Sequence, residues 1–235
     1  MIAAVVNSLT VVLGALIGSF FGGRPQERHT ATIVKALSLV VLVLGISSAI
    51  KTENLLAVIV CLLLGTIAGE TLGLERRLNS LGGWLRKRFA GGKAAGNFTE
   101  GFVICSLLVC VGSMAIIGSM EAGIHHNYAT IYSKSVIDGV MAVTFAINYG
   151  IGAAFAALPL LVYQGGLTLL ASAVAPYLSN AVVTEMSAVG GILLIGTGIN
   201  MLELTKERIR VGNMLPAVFL PVLYLPLAHW MISRF

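Results

Sequence analysis

Glu70, Glu121, Lys134 and Asp138 lie in or beside long apolar runs. A charge there is costly, so it marks an ion path, a proton relay or an ion pair. Lys134 and Asp138 stand four residues apart and share one face of a helix. Two readings of them stand side by side. One is a neutral pair that anchors a helix end. The other is an outer vestibule, in which Glu121 and Asp138 attract a cation and Lys134 tunes the site. Asn148, followed by Gly150 and Gly152, reads as a local break that frees backbone carbonyls as ligands. Asn7, Asn200 and Asn213 fall near the ends of apolar runs. Amide oxygens suit hard cations and equally suit hydrogen bonds between helices. The candidate path for a small ion or solute is therefore Glu70, Glu121, Lys134, Asp138, Asn148, Asn200 and Asn213.

Other chemistry lacks its residues. The sequence has no P-loop, no His-Glu-x-x-His and no Gly-x-Ser-x-Gly, so no enzymatic activity is expected. Cys61, Cys105 and Cys110 sit inside apolar runs without metal-ligand spacing, and His125 and His126 are adjacent in a polar loop. No metal and no cofactor are expected.

The elements that must carry these residues are membrane helices. Of 235 residues, 57% are hydrophobic and 11% charged, and mean hydropathy is +0.93. A soluble chain carries about 25% charged residues. The net charge of +5 falls mostly in short loops between apolar runs, which reads as membrane orientation and not as a nucleic-acid surface. The expected fold is all-α, a polytopic bundle of about eight spans. Their approximate limits are residues 2–21, 33–50, 55–74, 98–120, 135–161, 167–183, 186–202 and 214–232. The link between the fifth and sixth is placed at Gln164-Gly165-Gly166. If those two are one broken helix with a re-entrant piece, the count is seven.

The chain reads as one transmembrane domain: residues 1–73, a basic segment 74–97, and residues 98–235. The basic segment holds Arg76, Arg77, Arg86, Lys87, Arg88 and Lys93. Placed in the cytoplasm by the positive-inside rule, it puts both termini outside. Leu74, Leu78, Leu81, Leu85 and Phe89 recur there at helical spacing. This predicts an amphipathic helix lying on the inner leaflet and attracting anionic lipid, interrupted at Gly82-Gly83.

Glycines every four residues line two spans: Gly14, Gly18 and Gly22 in the first, Gly65, Gly69 and Gly73 in the third. Such rows let another backbone approach closely, within the chain or between copies in a homo-oligomer. Ile17-Gly18-Ser19 recurs as Ile117-Gly118-Ser119, and Ala31-Thr32-Ile33 as Ala129-Thr130-Ile131. These echoes fit an inverted repeat of spans 1–3 and 4–6. Gly65-Thr66 and Gly196-Thr197 cut against it.

Several motifs carry a family resemblance across almost the whole chain. They are Asn7 with the glycine-spaced first span, Leu64-Gly65 to Gly69-Glu70, and Gly118 to Met120-Glu121-Ala122-Gly123. Lys134-Ser135 with Asp138, Ser187-Ala188-Val189-Gly190-Gly191 with Thr197-Gly198, and Asn213-Met214-Leu215-Pro216-Ala217 complete the set. The chain resembles the YqgA/YdfK family, a domain of unknown function. The resemblance implies a polytopic protein of the bacterial inner membrane and, loosely, a sodium channel or pump. It supplies no agreed catalytic residues. The charged loop 203–210 departs from the family pattern.

Overall fold

The computed structural model of the chain describes residues 1–22, 27–89, 98–110 and 112–232, with side-chain surroundings at all of these but 22, 27–31 and 229–232. The stretch 23–26, the surroundings of Gly22 and the stretch 90–97 with Lys93 lie outside the described residues. The described residues form helices joined by turns and loops, with no strand among them. In chain order it comprises α1 (Ile2–Gly22), α2 (Glu27–Ala49), α3 (Leu55–Leu72), α4 (Leu74–Phe89), α5 (Phe98–Cys110), α6 (Ser113–Ile124) and α7 (Ala129–Tyr149). After a 3-10 segment, Gly150–Ala156, come α8 (Ala157–Leu169), α9 (Ala171–Val174), α10 (Asn180–Met201), α11 (Val211–Met214) and α12 (Pro221–Ile232). Further 3-10 turns lie at Ala175–Tyr177 and Leu215–Val218.

Among the described residues, five helical stretches are long and apolar enough to cross a membrane: Ile2–Phe21, Thr32–Ala49, Leu55–Leu72, Ala129–Leu169 and Asn180–Met201. Two bent pairs raise the number to seven, α5 with α6 at 60° and Val211–Val218 with Pro221–Ala228 at 44°. Large apolar side chains stay exposed along one side of the early helices, among them Leu9, Leu13 and Leu16 on α1 and Ile59, Leu63 and Ile67 on α3. Lipid covers such faces at no cost, whereas water would not. The chain divides into two units, each drawing on both halves of the sequence. The first is Met1–Leu37 with Arg77–Ala173, the second Ser38–Arg76 with Val174–Phe235.

In the first unit, α7 and α8 are the two arms of a reversal. Asn7 Nδ2 donates to Asp138 Oδ2 on α7 and to Gln164 Oε1 on α8, each at 2.9 Å. Twenty-six residues of straight helix would part those carboxamide and carboxylate carriers by roughly 39 Å, so the chain must double back. It does so at Gly150–Ala156, where Gly150 takes φ +70° and Gly152 lies against Phe98. A Cβ on Gly152 would come 2.8 Å from Phe98 Cα. The expected link at Gln164-Gly165-Gly166 is thus displaced. Those residues stay helical, because in an apolar medium the backbone keeps its internal hydrogen bonds even at glycine. Pro176, expected inside a span, lies instead in the turn Ala175–Tyr177, and Ser179 caps α10.

Gly18 of α1 meets α7 closely, since a Cβ there would stand 2.9 Å from Ala146 Cβ. The register 14 to 142 and 18 to 146 makes α1 and α7 parallel. α4 runs unbroken through Gly82-Gly83, in contrast to the expected interruption. Its Leu85 packs with Phe98 and Phe102, and Gly82 sits against Thr99. Arg86, Lys87, Arg88, Leu81 and Trp84 remain exposed.

In the second unit, Asn54 caps α3 by accepting from Ala57 N at 3.0 Å, and Gly73 ends it in the left-handed conformation at φ +60°, a position that costs other residues strain. Gly65 and Gly69 face Ala217 and Asn213. Gly45 of α2 meets Gly191 of α10, a Cβ there falling 2.7 Å from the Gly191 carbonyl oxygen.

Candidate functional site

The first unit encloses a polar cluster built on three helices. Lys134 and Asp138 form an i,i+4 ion pair on α7, with side chains only 7% exposed. Lys134 Nζ also donates to the Val109 carbonyl at 2.8 Å. That carbonyl belongs to the last turn of α5, which stops before Gly112 at φ +131°. Terminal carbonyls of a helix lack intrahelical partners and carry partial negative charge, so the ammonium caps a broken helix. Asn7, fully buried on α1, bridges Asp138 to Gln164, itself fully buried on α8. Asn7 Oδ1 and Gln164 Nε2 are buried without a hydrogen-bond partner. Thr168, one turn beyond Gln164, returns its hydroxyl to the Gln164 carbonyl at 2.7 Å.

The cluster lies about 8 Å along α1 and about 14 Å along α7, at the helical rise of 1.5 Å per residue. A bilayer core is about 30 Å thick, so these groups stand between one boundary of such a core and its midplane. Burying a carboxylate and an ammonium there is tolerated only because they meet each other and further hydrogen-bonding groups.

Of the residues expected to line a path, the structure unites only Lys134 and Asp138. Glu121, half-buried on α6, accepts from Thr130 Oγ1 at 2.6 Å. Asn148 donates to the Thr144 carbonyl at 3.2 Å, and its Oδ1 is buried without a partner. It sits ten residues, about 15 Å, further along α7 than Asp138. The pair is a closed, buried contact and not an open vestibule.

Glu70, Asn200 and Asn213 belong to the second unit. Glu70 is exposed, 3.4 Å from Arg210. Asn200 clamps Ile209, donating to its carbonyl and accepting from its N–H, both at 2.8 Å. Asn213 Oδ1 accepts from Glu75 N at 2.7 Å, while Glu75 Oε2 accepts from Gly212 N at 2.9 Å. These amides hold backbone in place. Gly14 and Gly18, like Gly65 and Gly69, are covered by the chain's own helices. Gly73 departs from its row: nothing lies within 4 Å of its Cβ position, and it acts as a helix cap.

Glu185 was not expected as a site. It is 1% exposed on α10. Its carboxylate accepts from Thr52 Oγ1 at 2.6 Å, Glu53 N at 2.8 Å and Asn54 N at 2.9 Å. Its charge at the edge of an apolar run was the available signal. Gln164 carried the same kind of signal and was read as a link because two glycines follow it.

Among the described residues no three His, Cys, Asp or Glu side chains gather as a metal site. No solved structure matches the chain. Over its full length it is 28% identical to the full length of the uncharacterized membrane protein YdfK of Bacillus subtilis (strain 168). It is 30% identical to the uncharacterized protein YqgA of Escherichia coli (strain K12), over 92% of each chain. The model of a protein family of unknown function, DUF554, matches residues 2–225. With a polytopic all-helical fold and a family match over nearly its whole length, the chain belongs to the DUF554 family of membrane proteins.

Proposed function

We propose that this membrane protein is a channel or secondary transporter for a small ion or solute, with a monovalent cation such as sodium as the first candidate substrate, and that it is not an enzyme. One observation carries the reading. Asn7, Lys134, Asp138 and Gln164 converge inside apolar helices with two amide atoms left unpartnered. Packing alone needs no such cluster, and polar groups at this depth mark ion and solute paths. Counting α7 and α8 as separate passes gives eight crossings in this reading, with both termini outside and the basic α4 against the inner leaflet of the bacterial inner membrane.

Flux through purified protein in sealed liposomes, scanned over sodium, potassium and protons, tests it. Asp138→Asn should abolish selective flux, and so should the double variant Lys134→Gln/Asp138→Asn, which leaves no uncompensated charge and serves as the folded control. Flux that persists unchanged in Asp138→Asn removes this cluster from the path.

A second reading is a scaffold or modulator of a partner protein. The exposed face of α4, with Trp84 at 59% among Arg86, Lys87 and Arg88, favours it. On either reading that face is proposed to hold anionic lipid. Absence of flux for every ion, from protein shown to be folded, shifts the weight to the scaffold.

A further inference from the structure

We propose that Lys134 is a tethered cation: its ammonium fills the place at Asp138 that a free monovalent cation takes, so the two exclude one another. The proposal deepens the transport reading and rests on it.

The ammonium donates to two oxygens, the Asp138 carboxylate and the Val109 carbonyl. Carboxylate and carbonyl oxygens are what hard cations bind. The Val109 carbonyl lies at a helix end interrupted within the membrane, the setting in which transporters coordinate cations. A further amide oxygen, Asn7 Oδ1, is buried without a partner, on a residue that is 0% exposed and whose Nδ2 already donates to Asp138. The residue that bridges Asp138 to Gln164 therefore holds an oxygen that no protein donor uses.

Charge then decides the stoichiometry. One carboxylate faces one ammonium, and the pair is neutral. A second positive charge beside them would stand uncompensated in a low-dielectric interior. A free cation reaches Asp138 only when Lys134 leaves. Lys134 is suited to leave, since it stands one helical turn nearer the outer end of α7 than Asp138. Its charge rides on a flexible four-carbon stem that can extend toward the headgroups. In the absence of substrate the ammonium keeps the site neutral and blocked. Substrate enters by displacing it.

The experiment measures thermal unfolding of the full chain in lipid nanodiscs. Sodium, potassium or lithium chloride is titrated against N-methylglucamine chloride at constant ionic strength. The chains compared are wild type, Lys134→Gln, Asp138→Asn and the double variant Lys134→Gln/Asp138→Asn. With the competitor removed, Lys134→Gln should be stabilised by a small cation at concentrations at least tenfold below those needed by wild type. Asp138→Asn and the double variant should not respond. Lys134→Gln that folds only in a small cation supports the proposal equally.

Identical salt responses of Lys134→Gln and wild type overturn it. So does a Lys134→Gln chain that is unfolded in every salt while the double variant folds, because then no free cation replaces the ammonium. Liposome flux separates the two levels. Wild-type flux lost in Asp138→Asn, alongside a salt-insensitive Lys134→Gln, leaves transport standing and refutes the tether. A cation-stabilised Lys134→Gln with no wild-type flux for any ion refutes transport and leaves a cation site.

Discussion

Removing the Glu185 carboxylate should loosen the turn between α2 and α3 by an amount the geometry sets. The carboxylate accepts three hydrogen bonds, from Thr52 Oγ1, Glu53 N and Asn54 N. Bonds to a charged group contribute about 1.5–3 kcal/mol each. Thr52 and Asn54 are half-buried and Glu53 is exposed, so water replaces part of the loss and the low end applies. Glu185→Ala should cost about 3–5 kcal/mol in all, or on the order of 100-fold or more in the folding equilibrium. Thr52→Val deletes the bond to Glu185 and the longer, 3.2 Å bond that Thr52 Oγ1 accepts from Asn54 N, and should cost about 1.5–2.5 kcal/mol. The double variant should be at most about 1 kcal/mol worse than Glu185→Ala, because only the bond from Asn54 N to the Thr52 hydroxyl is left to lose. Glu185→Gln keeps an acceptor for the two backbone N–H groups and should fall between wild type and Glu185→Ala. Equilibrium unfolding in mixed detergent micelles reads all four, and the cycle isolates the coupling. A Glu185→Ala chain within about 0.5 kcal/mol of wild type, the scatter of ordinary surface changes, would refute the clamp.

Gly18→Val should destabilise by about 1–3 kcal/mol or more, since its Cβ meets the backbone of α7; Gly73→Ala should cost about 1–2 kcal/mol, through left-handed strain alone. Monodisperse yield and unfolding midpoints rank them, and a Gly18→Val chain as stable as wild type would contradict the packing. In a chain with Cys61, Cys105 and Cys110 replaced by Ala, cysteines at His126 and Ser172 should react with an impermeant thiol reagent from the outer side, and one at Arg86 from the inner side. Labelling of 126 and 172 from opposite sides would disprove the reversal at Gly150–Ala156. Replacing Arg86, Lys87 and Arg88 by Gln should weaken retention of phosphatidylglycerol by about 1 kcal/mol per charge, measured as co-purified lipid. Unchanged retention would mean that α4 does not select anionic headgroups.

The membrane-spanning class of this protein was legible in the sequence because transfer into lipid is a sum over each segment's own side chains. The runs that became α1 and α3 needed no knowledge of their neighbours, and neither did the amphipathic pattern of α4, whereas α10, Asn180–Met201, was divided at Glu185 between two expected spans. The Lys134–Asp138 pair was legible as well, since four residues on a helix is a local distance. Tertiary structure decided the rest. Asn7 and Gln164 are 157 residues apart and meet only because the chain reverses at Gly150–Ala156. Gly150 and Gly152 were legible as a local break, but the reversal itself was placed at Gln164-Gly165-Gly166, a glycine signal that an apolar medium overrides. Glu185 finds Thr52 across 133 residues, and its role depends on a turn that no pattern near α10 reveals. Local composition fixes which segments enter the bilayer. Convergence of polar groups depends on which helices become neighbours, and that is settled by packing between segments far apart in the chain.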